Sequence, residues 1–561
     1  MALELARVGR TRSPKASECE QTAGEHRLAQ VTIRRRKHWG WGYEDQQPAP
    51  AEVRASAPAL LAHLGMALTE VEEPVALESV LLAPPRILVP ASLSNICASD
   101  PHARASHALG KSYSDVVRGF RGRFDHPPDF VVRPRQETDL ERVLEWCSHE
   151  RVAAIAYGGG SSVVGGVSPD VGPGYNGVVS IDLGALDRVL EIDEVSRAAR
   201  IQAGAFGPAL EAQLGEHGLT LRHFPQSFEF STLGGWIATR AAGHFATVWT
   251  HIEDFVESVR AITPTGIWES RRLPGSGAGV SPDRMLAGSE GTLGVITEAW
   301  MRVQPRPSHR RSTGVRFASF LEGAECVRAI SQSGLYPSNC RLLDGAEAGL
   351  TMAADGSHAL LVLGFESTDH PVDDAMARAL QICAAHGGAV SESRERSGGD
   401  AVSSWREAFL GAPYLRDMLV ALGVLGETFE TAITWERFPL FHERVIAAAE
   451  EAVRKHCGSE GKVFCRFTHL YPDGPAPYFT VLALARRGEE VEQWAQIKRA
   501  VSDVVIAEGA TITHHHAVGR DHRPWYDRQR PEPFAAALRG AKAAVDPRGI
   551  MNPGVLIDPL P

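Results

Sequence analysis

Three consecutive glycines at the end of an apolar run constrain this chain most. Val152-Ala153-Ala154-Ile155-Ala156 reads as a short buried strand, and it leads directly into Tyr157-Gly158-Gly159-Gly160-Ser161-Ser162-Val163-Val164-Gly165-Gly166. With no Cβ atoms in the way, backbone amides can converge, and the hydroxyls of Ser161 and Ser162 add donors, so the loop suits a phosphate or pyrophosphate. Spacing excludes two familiar phosphate loops. A P-loop needs a lysine where Gly166 follows Gly165, and the dinucleotide fingerprint needs a glycine or alanine where Val163 stands. Taken alone the stretch reads equally well as a Gly-rich surface turn, so other segments must decide.

At 561 residues the chain can bury a sizeable core and hold two or three domains. Its net charge of −10 is spread along the sequence, which argues against a nucleic-acid-binding surface. The eight cysteines form no CxxC pair and read as reduced thiols. No apolar run approaches the ~18 to 20 residues that cross a bilayer, and no secretory signal opens the chain. The chain closes on Asp558-Pro559-Leu560-Pro561 and not on a Ser-Lys-Leu address. The expectation is a cytoplasmic protein acting on a small molecule or lipid, with peripheral membrane contact and a homodimer left open.

In chain order, residues 1–33 are polar and aperiodic, and disorder is expected. Residues 34–126 form an N-terminal helical segment, entered through Arg34-Arg35-Arg36-Lys37-His38-Trp39-Gly40-Trp41-Gly42-Tyr43. A basic run joined to aromatics and glycines is expected to pack back onto the protein. Helices are predicted at Pro58 to Met66, with Pro58 at its start, and at Tyr113 to Phe120. From residue 127 the pattern is strand (Phe130 to Val132), helix (Thr138 to Glu150), strand, glycine loop, which is a βαβ-like beginning. Further strands follow at Gly177 to Leu183, Val189 to Ile192, Ala198 to Ala203 and Val295 to Val303. Two more small-residue loops occur, Phe224 to Gly243 and Gly288 to Gly294. Pro305 and Pro307 mark a boundary at about residue 308. A second α+β domain is predicted over 309–510, and 511–561 returns with His514-His515-His516.

Three such loops in this order resemble the vanillyl-alcohol-oxidase-type (PCMH-type) FAD-binding family, over roughly Pro127 to Leu556. The resemblance implies an α+β fold: a two-subdomain FAD-binding domain (127–308) followed by a cap or substrate domain. Within the family, Trp39-Gly40-Trp41-Gly42-Tyr43, Pro225 to Thr232, Thr239-Arg240-Ala241-Ala242, Ile252-Glu253-Asp254, Gly423 to Glu430 and the triple histidine resemble the alkyldihydroxyacetonephosphate synthase subgroup. The resemblance implies non-covalent FAD held by Gly158, Gly159, Gly160, Ser161 and Ser162, then by Gln226, Ser227, Phe228, Glu229, Phe230, Ser231 and Thr232. Thr239, Arg240, Ala241 and Ala242 follow, with Gly288, Ser289, Glu290, Gly291, Thr292, Leu293 and Gly294. It likewise implies that Arg416 grips a substrate phosphate with Arg341 as a second arginine, that Tyr478 is the acid/base, and that His514, His515 and His516 line the active site. The implied activity is a transferase that replaces the acyl group of acyl-dihydroxyacetone phosphate with a fatty alcohol. Asn552-Pro553-Gly554 points instead to an FAD-dependent oxidoreductase of a 2-hydroxy acid or alcohol, the alternative.

Residue chemistry allows these roles without requiring them. Arginine's planar fork can chelate two phosphate oxygens, although Arg416 next to Asp417 also reads as a surface ion pair. A tyrosine base needs cationic neighbours, and Tyr478 also reads as a strand residue with a satisfied hydroxyl. If Thr513 to Ala517 is a strand, His514 and His516 share one face and His515 points away, giving two ligands at most. No metal is therefore expected.

Overall fold

The computed structural model describes residues 34–351, 353–390, 411 and 413–558; the expectation for 1–33 falls outside them. The strand before the glycine loop, Val152–Tyr157, is apolar from Val152 to Ala156, and Val152 to Ile155 are fully buried. Such continuous burial belongs to a parallel strand covered on both faces. Gly177–Asp182 pairs in parallel with Val152–Tyr157 on one side and with Phe130–Val132 on the other, so the helix Glu137–Glu150 joins two strands with a third between them. Val152–Tyr157 is the edge of this four-stranded sheet. The returning tail covers it: Ala154 donates to Ile550 O at 2.9 Å and Asn552 donates back to Ala154 O at 3.0 Å.

A second sheet of five strands is antiparallel, in the order Val189–Asp193, Ala198–Gln202, Val295–Arg302, Val256–Thr263, Gly266–Glu269. The third sheet has seven antiparallel strands: Ala389–Val390, His309–Phe317, Ala359–Ser367, Asn339–Leu343, Lys462–Leu470, Pro475–Leu484 and Val424–Glu430. One core joins its inner face to the helices Phe320–Ser331, Asp373–Ala385, Phe438–Cys457 and Glu490–Ala507, through Val327, Cys383, Phe441 and Ile497. The fold is α+β throughout, the strands predicted between residues 127 and 308 end within a residue of the observed ones, and Tyr478 lies inside the strand Pro475–Leu484.

The basic aromatic run does pack back, and its anchor is Asp417. This buried carboxylate accepts from Lys37 Nζ at 2.9 Å and from the Trp41 amide at 3.0 Å. Gly40 has φ +38°, and a Cβ there would lie 2.4 Å from Asp417 Oδ2. Asp417 is therefore not paired with Arg416. The first helix spans Pro50–His63, so Pro58 lies inside it and Pro50 is the residue at its start. Leu60, Leu61 and Leu64 pack against Met418, Leu419 and Leu422, and this burial offsets the hydrogen bond that Pro58 cannot make. Among the described residues, no helix is long and apolar enough to cross a membrane.

Candidate active site

A cavity of about 1730 Å³, counting its open mouth, lies between the glycine loop and the seven-stranded sheet. One wall is Gly158 to Ser162, Gln226, Ser227, Ser231, Thr232, Thr239, Ala241, Ala242, Glu290, Gly291 and Gly294; the other carries Arg341, Arg416, Arg466, His469, Tyr478, His515 and His516. The glycines are required by close approach. A Cβ on Gly159 would lie 1.7 Å from Phe230 O, and one on Gly158 2.3 Å from Thr232 Oγ1. The first wall offers backbone amides and hydroxyls with one carboxylate, Glu290. Burial lifts that group to about 7 against hydrogen bonds from the Val518 and Gly519 amides, both 2.9 Å, which tie the returning tail to this wall. Such a donor set suits a phosphate-bearing, flat ligand.

Some residues expected on this wall stand behind it. Phe228 stacks on Trp236, Glu229 accepts from Tyr414 Oη at 2.7 Å, and Phe230 packs against Trp41, Tyr43 and Tyr414. Arg240 pairs with Glu253 at 2.6 Å, and Gly288 sits where a Cβ would meet Arg240 at 2.7 Å. Ser289 accepts through its carbonyl from the Thr292 hydroxyl at 2.7 Å, and Leu293 is core. These side chains hold the wall's shape without facing the cavity. The pattern of small residues did not separate lining from support.

The opposite wall is set by strand register. Tyr478 has Glu430 as its partner in one neighbouring strand and Arg466 in the other. Partners in register project from the same face, so three residues from three strands meet. The Arg466 guanidinium lies 3.9 Å from the Tyr478 ring centroid and pairs with Glu347. Arg341, 3% exposed, donates to His244 O at 3.1 Å; burial, and then the charge of Arg466, lower its pKa to about 9. Arg416 lines the cavity, half-buried, and donates to Lys111 O at 2.7 Å.

The histidine run is not a strand. The amides of His514, His515 and His516 converge on the buried Glu430 carboxylate at 2.5, 2.9 and 2.7 Å, and the Thr513 hydroxyl joins them. Convergence on one acceptor replaces the alternation of a strand, so the expected pairing of His514 with His516 on one face is corrected. His515 and His516 line the cavity, whereas His514 stands behind with Nδ1 3.0 Å from His515 Nδ1 and Nε2 2.6 Å from Tyr471 Oη. His469, not anticipated, joins them: Arg466 and Thr468 alternate along one strand, but a bulge between Phe467 and His469 turns His469 inward too. Ring nitrogens of His469, His514 and His515 lie within 4.8 Å of one another, a spacing a metal could use. Both nitrogens of His469 and both of His514 are already engaged, with Gly243 O, Thr468, His515 and Tyr471, so the cluster is held by hydrogen bonds.

Electrostatics separate these groups. Burial drives His469, His514 and His516 well below the ordinary histidine range and His515 to about 3, with neighbouring imidazoles and arginines adding to the effect. The histidines are neutral near pH 7, and the cation beside Tyr478 is Arg466. A depressed histidine contributes stability above its unfolded pKa that is lost as pH falls. Below pH ~6.5 the unfolded chain takes a proton that the folded chain refuses, costing about 1.4 kcal/mol per pH unit for each group. Unfolding midpoints should fall from pH 7.5 to 5.5, and less steeply for His515→Asn; equal slopes in denaturant titrations would contradict this.

The FAD binding domain family matches residues 128–270, and the family of FAD linked oxidases, C-terminal domain, matches 306–556. The chain is 31% identical over 488 residues to an alkyldihydroxyacetonephosphate synthase of Dictyostelium discoideum, covering 82% of this chain and 78% of that one. It is 30% identical to that of Trypanosoma brucei brucei over 484 residues, with the same coverage. A solved alkyldihydroxyacetonephosphate synthase superposes with a TM-score of 0.77 at 26% identity, over 93% of this chain and 98% of that one. The two matched families thus span the segment of this chain that carries the glycine cradle and the segment that carries the arginines, tyrosine and histidines opposite it. The chain belongs to the vanillyl-alcohol-oxidase-type FAD-binding family, as a member similar to alkyldihydroxyacetonephosphate synthase, with FAD as its cofactor.

Proposed function

We propose that the chain is a transferase of the alkyldihydroxyacetonephosphate synthase kind, exchanging the acyl group of acyl-dihydroxyacetone phosphate for a fatty alcohol. The observation that carries this reading is the register of Tyr478 between Glu430 and Arg466, in a cavity that Arg416 also lines. When bound, FAD supplies an electron-accepting ring on which an acyl-for-alkyl exchange can run; the protein supplies orientation and proton transfer. Arg416 offers the phosphate a planar fork. Tyr478, with Arg466 over its ring and the neutral His515 and His516 beside it, moves the proton as one group leaves and the other enters.

Asn552, from the tripeptide that suggested a hydroxy-acid oxidoreductase, is buried and donates to Gly166 O at 3.0 Å and Glu290 O at 2.6 Å. It ties two loops of the FAD wall together, a task either reaction requires, and therefore carries no weight for the oxidoreductase. Arg416→Lys keeps the charge and loses the fork. It should raise KM for the phosphorylated substrate by about 10- to 100-fold, the scale of one charge-assisted hydrogen bond, with FAD content unchanged. An unaltered KM in steady-state assays would take Arg416 out of phosphate binding. Anaerobic mixing tests the reading itself: a 2-hydroxy acid that bleaches the flavin of a protein unable to carry out exchange would replace transferase with oxidoreductase.

A further inference from the structure

We propose that His515, His514, Tyr471, Thr250 and His251 form a proton relay between the cavity and the protein surface. Each link is a hydrogen bond: His515 Nδ1 to His514 Nδ1 at 3.0 Å, His514 Nε2 to Tyr471 Oη at 2.6 Å, Tyr471 Oη to Thr250 Oγ1 at 3.0 Å, and Thr250 Oγ1 to His251 Nδ1 at 3.1 Å. The proton positions follow from the far end. His251 Nε2 lies 3.0 Å from His514 O, and a carbonyl only accepts, so Nε2 carries the hydrogen and neutral His251 accepts at Nδ1. Thr250 therefore donates to His251, which leaves it accepting from Tyr471. By the same count Tyr471 accepts from His514 Nε2–H, and His514 Nδ1 accepts from His515 Nδ1–H. The Nε2 atom of His515, whose ring lines the cavity, is left with a lone pair.

This order defines the transfer. A proton released in the cavity forms a bond at His515 Nε2, and the Nδ1–H bond breaks as one forms at His514 Nδ1. The His514 Nε2–H proton moves to Tyr471 Oη, the Tyr471 hydroxyl proton to Thr250, and the Thr250 proton to His251 Nδ1. One proton enters the chain and another arrives at His251, and no other bond changes. His251 is half-buried; burial lowers its pKa and the carboxylates of Glu253 and Asp254 oppose that only in part, so a proton that arrives there passes on to solvent. Burial keeps His514 neutral and raises the Tyr471 phenol, so the interior links pass a proton without storing it. The relay also gives a purpose to Ile252-Glu253-Asp254, a turn whose carboxylates flank the outlet.

The relay rests on the proposed function only in needing a proton to cross the cavity wall. It is tested without substrate, by photoreducing the FAD-loaded protein, reoxidising it anaerobically with ferricyanide in a weakly buffered pH-indicator solution, and timing the release of the flavin's proton. Tyr471→Phe and Thr250→Val each break one link; each should slow release at least tenfold, and added imidazole should restore it, with the flavin absorption unchanged. Thr250→Val decides the matter if Tyr471→Phe fails to retain FAD. Release at the wild-type rate in both variants, or slowed release that imidazole does not restore, overturns the relay. Absence of acyl-for-alkyl exchange in the wild-type protein would count against the proposed function and leave the relay standing.

Discussion

Replacing Tyr478 by phenylalanine is expected to lower turnover by about 10²- to 10⁴-fold, the range set by a positioned acid/base, while the bound-FAD spectrum stays in place. The separation of the two effects follows from the structure. Tyr478 is 5% exposed, inside the strand Pro475–Leu484, and phenylalanine preserves its packing under Arg466. The hydroxyl alone is lost, and the FAD wall is built by other segments. Steady-state turnover and the visible spectrum of the same preparation check this, and turnover within a few-fold of wild type would remove Tyr478 from the mechanism.

Glu430→Ala is expected to be more damaging, because one side chain is the acceptor for three successive amides and a hydroxyl. Each buried donor left without a partner costs ~1 to 3 kcal/mol, and relaxation of the loop recovers part of that. We expect a loss on the order of 3 to 5 kcal/mol in stability and turnover below detection, since His515 and His516 lose the anchor that places them. Glu430→Gln keeps one carbonyl acceptor and should fall between the two. Denaturant unfolding combined with turnover would expose a failure: a stable, active Glu430→Ala protein would mean that the histidine run is positioned by something else.

The FAD side of the molecule was legible because close approach demands small residues at fixed chain positions. Gly158 and Gly159 cannot carry a side chain against Phe230 and Thr232, and that requirement shows directly in the sequence. The helix Tyr113–Phe120 and the strand Val152–Tyr157 were legible from periodicity and burial. The substrate side was less so, because its contacts are long-range. Arg466 pairs with a glutamate 119 residues away and faces Tyr478 only by register, although a lone charge in the otherwise apolar Val463 to Phe467 was a usable signal. His469 was hidden by a bulge, which shifts side-chain parity with no marker in the residue types. The histidine run misled for a different reason: alternation was assumed, whereas Glu430 gathers consecutive amides to one point. Asp417 likewise invited pairing with its neighbour Arg416, and the structure gives it to Lys37 and Trp41, far back in the chain.

The transferase reading stands or falls on the fate of the alcohol. Purified FAD-loaded protein is incubated anaerobically with acyl-dihydroxyacetone phosphate and a labelled fatty alcohol, and products and flavin absorption are followed together. The predicted result is label in an ether-linked phosphate product, fatty acid released in equal amount, and no net bleaching of the flavin. Bleaching by a 2-hydroxy acid or alcohol, with no label in an ether product, would contradict it.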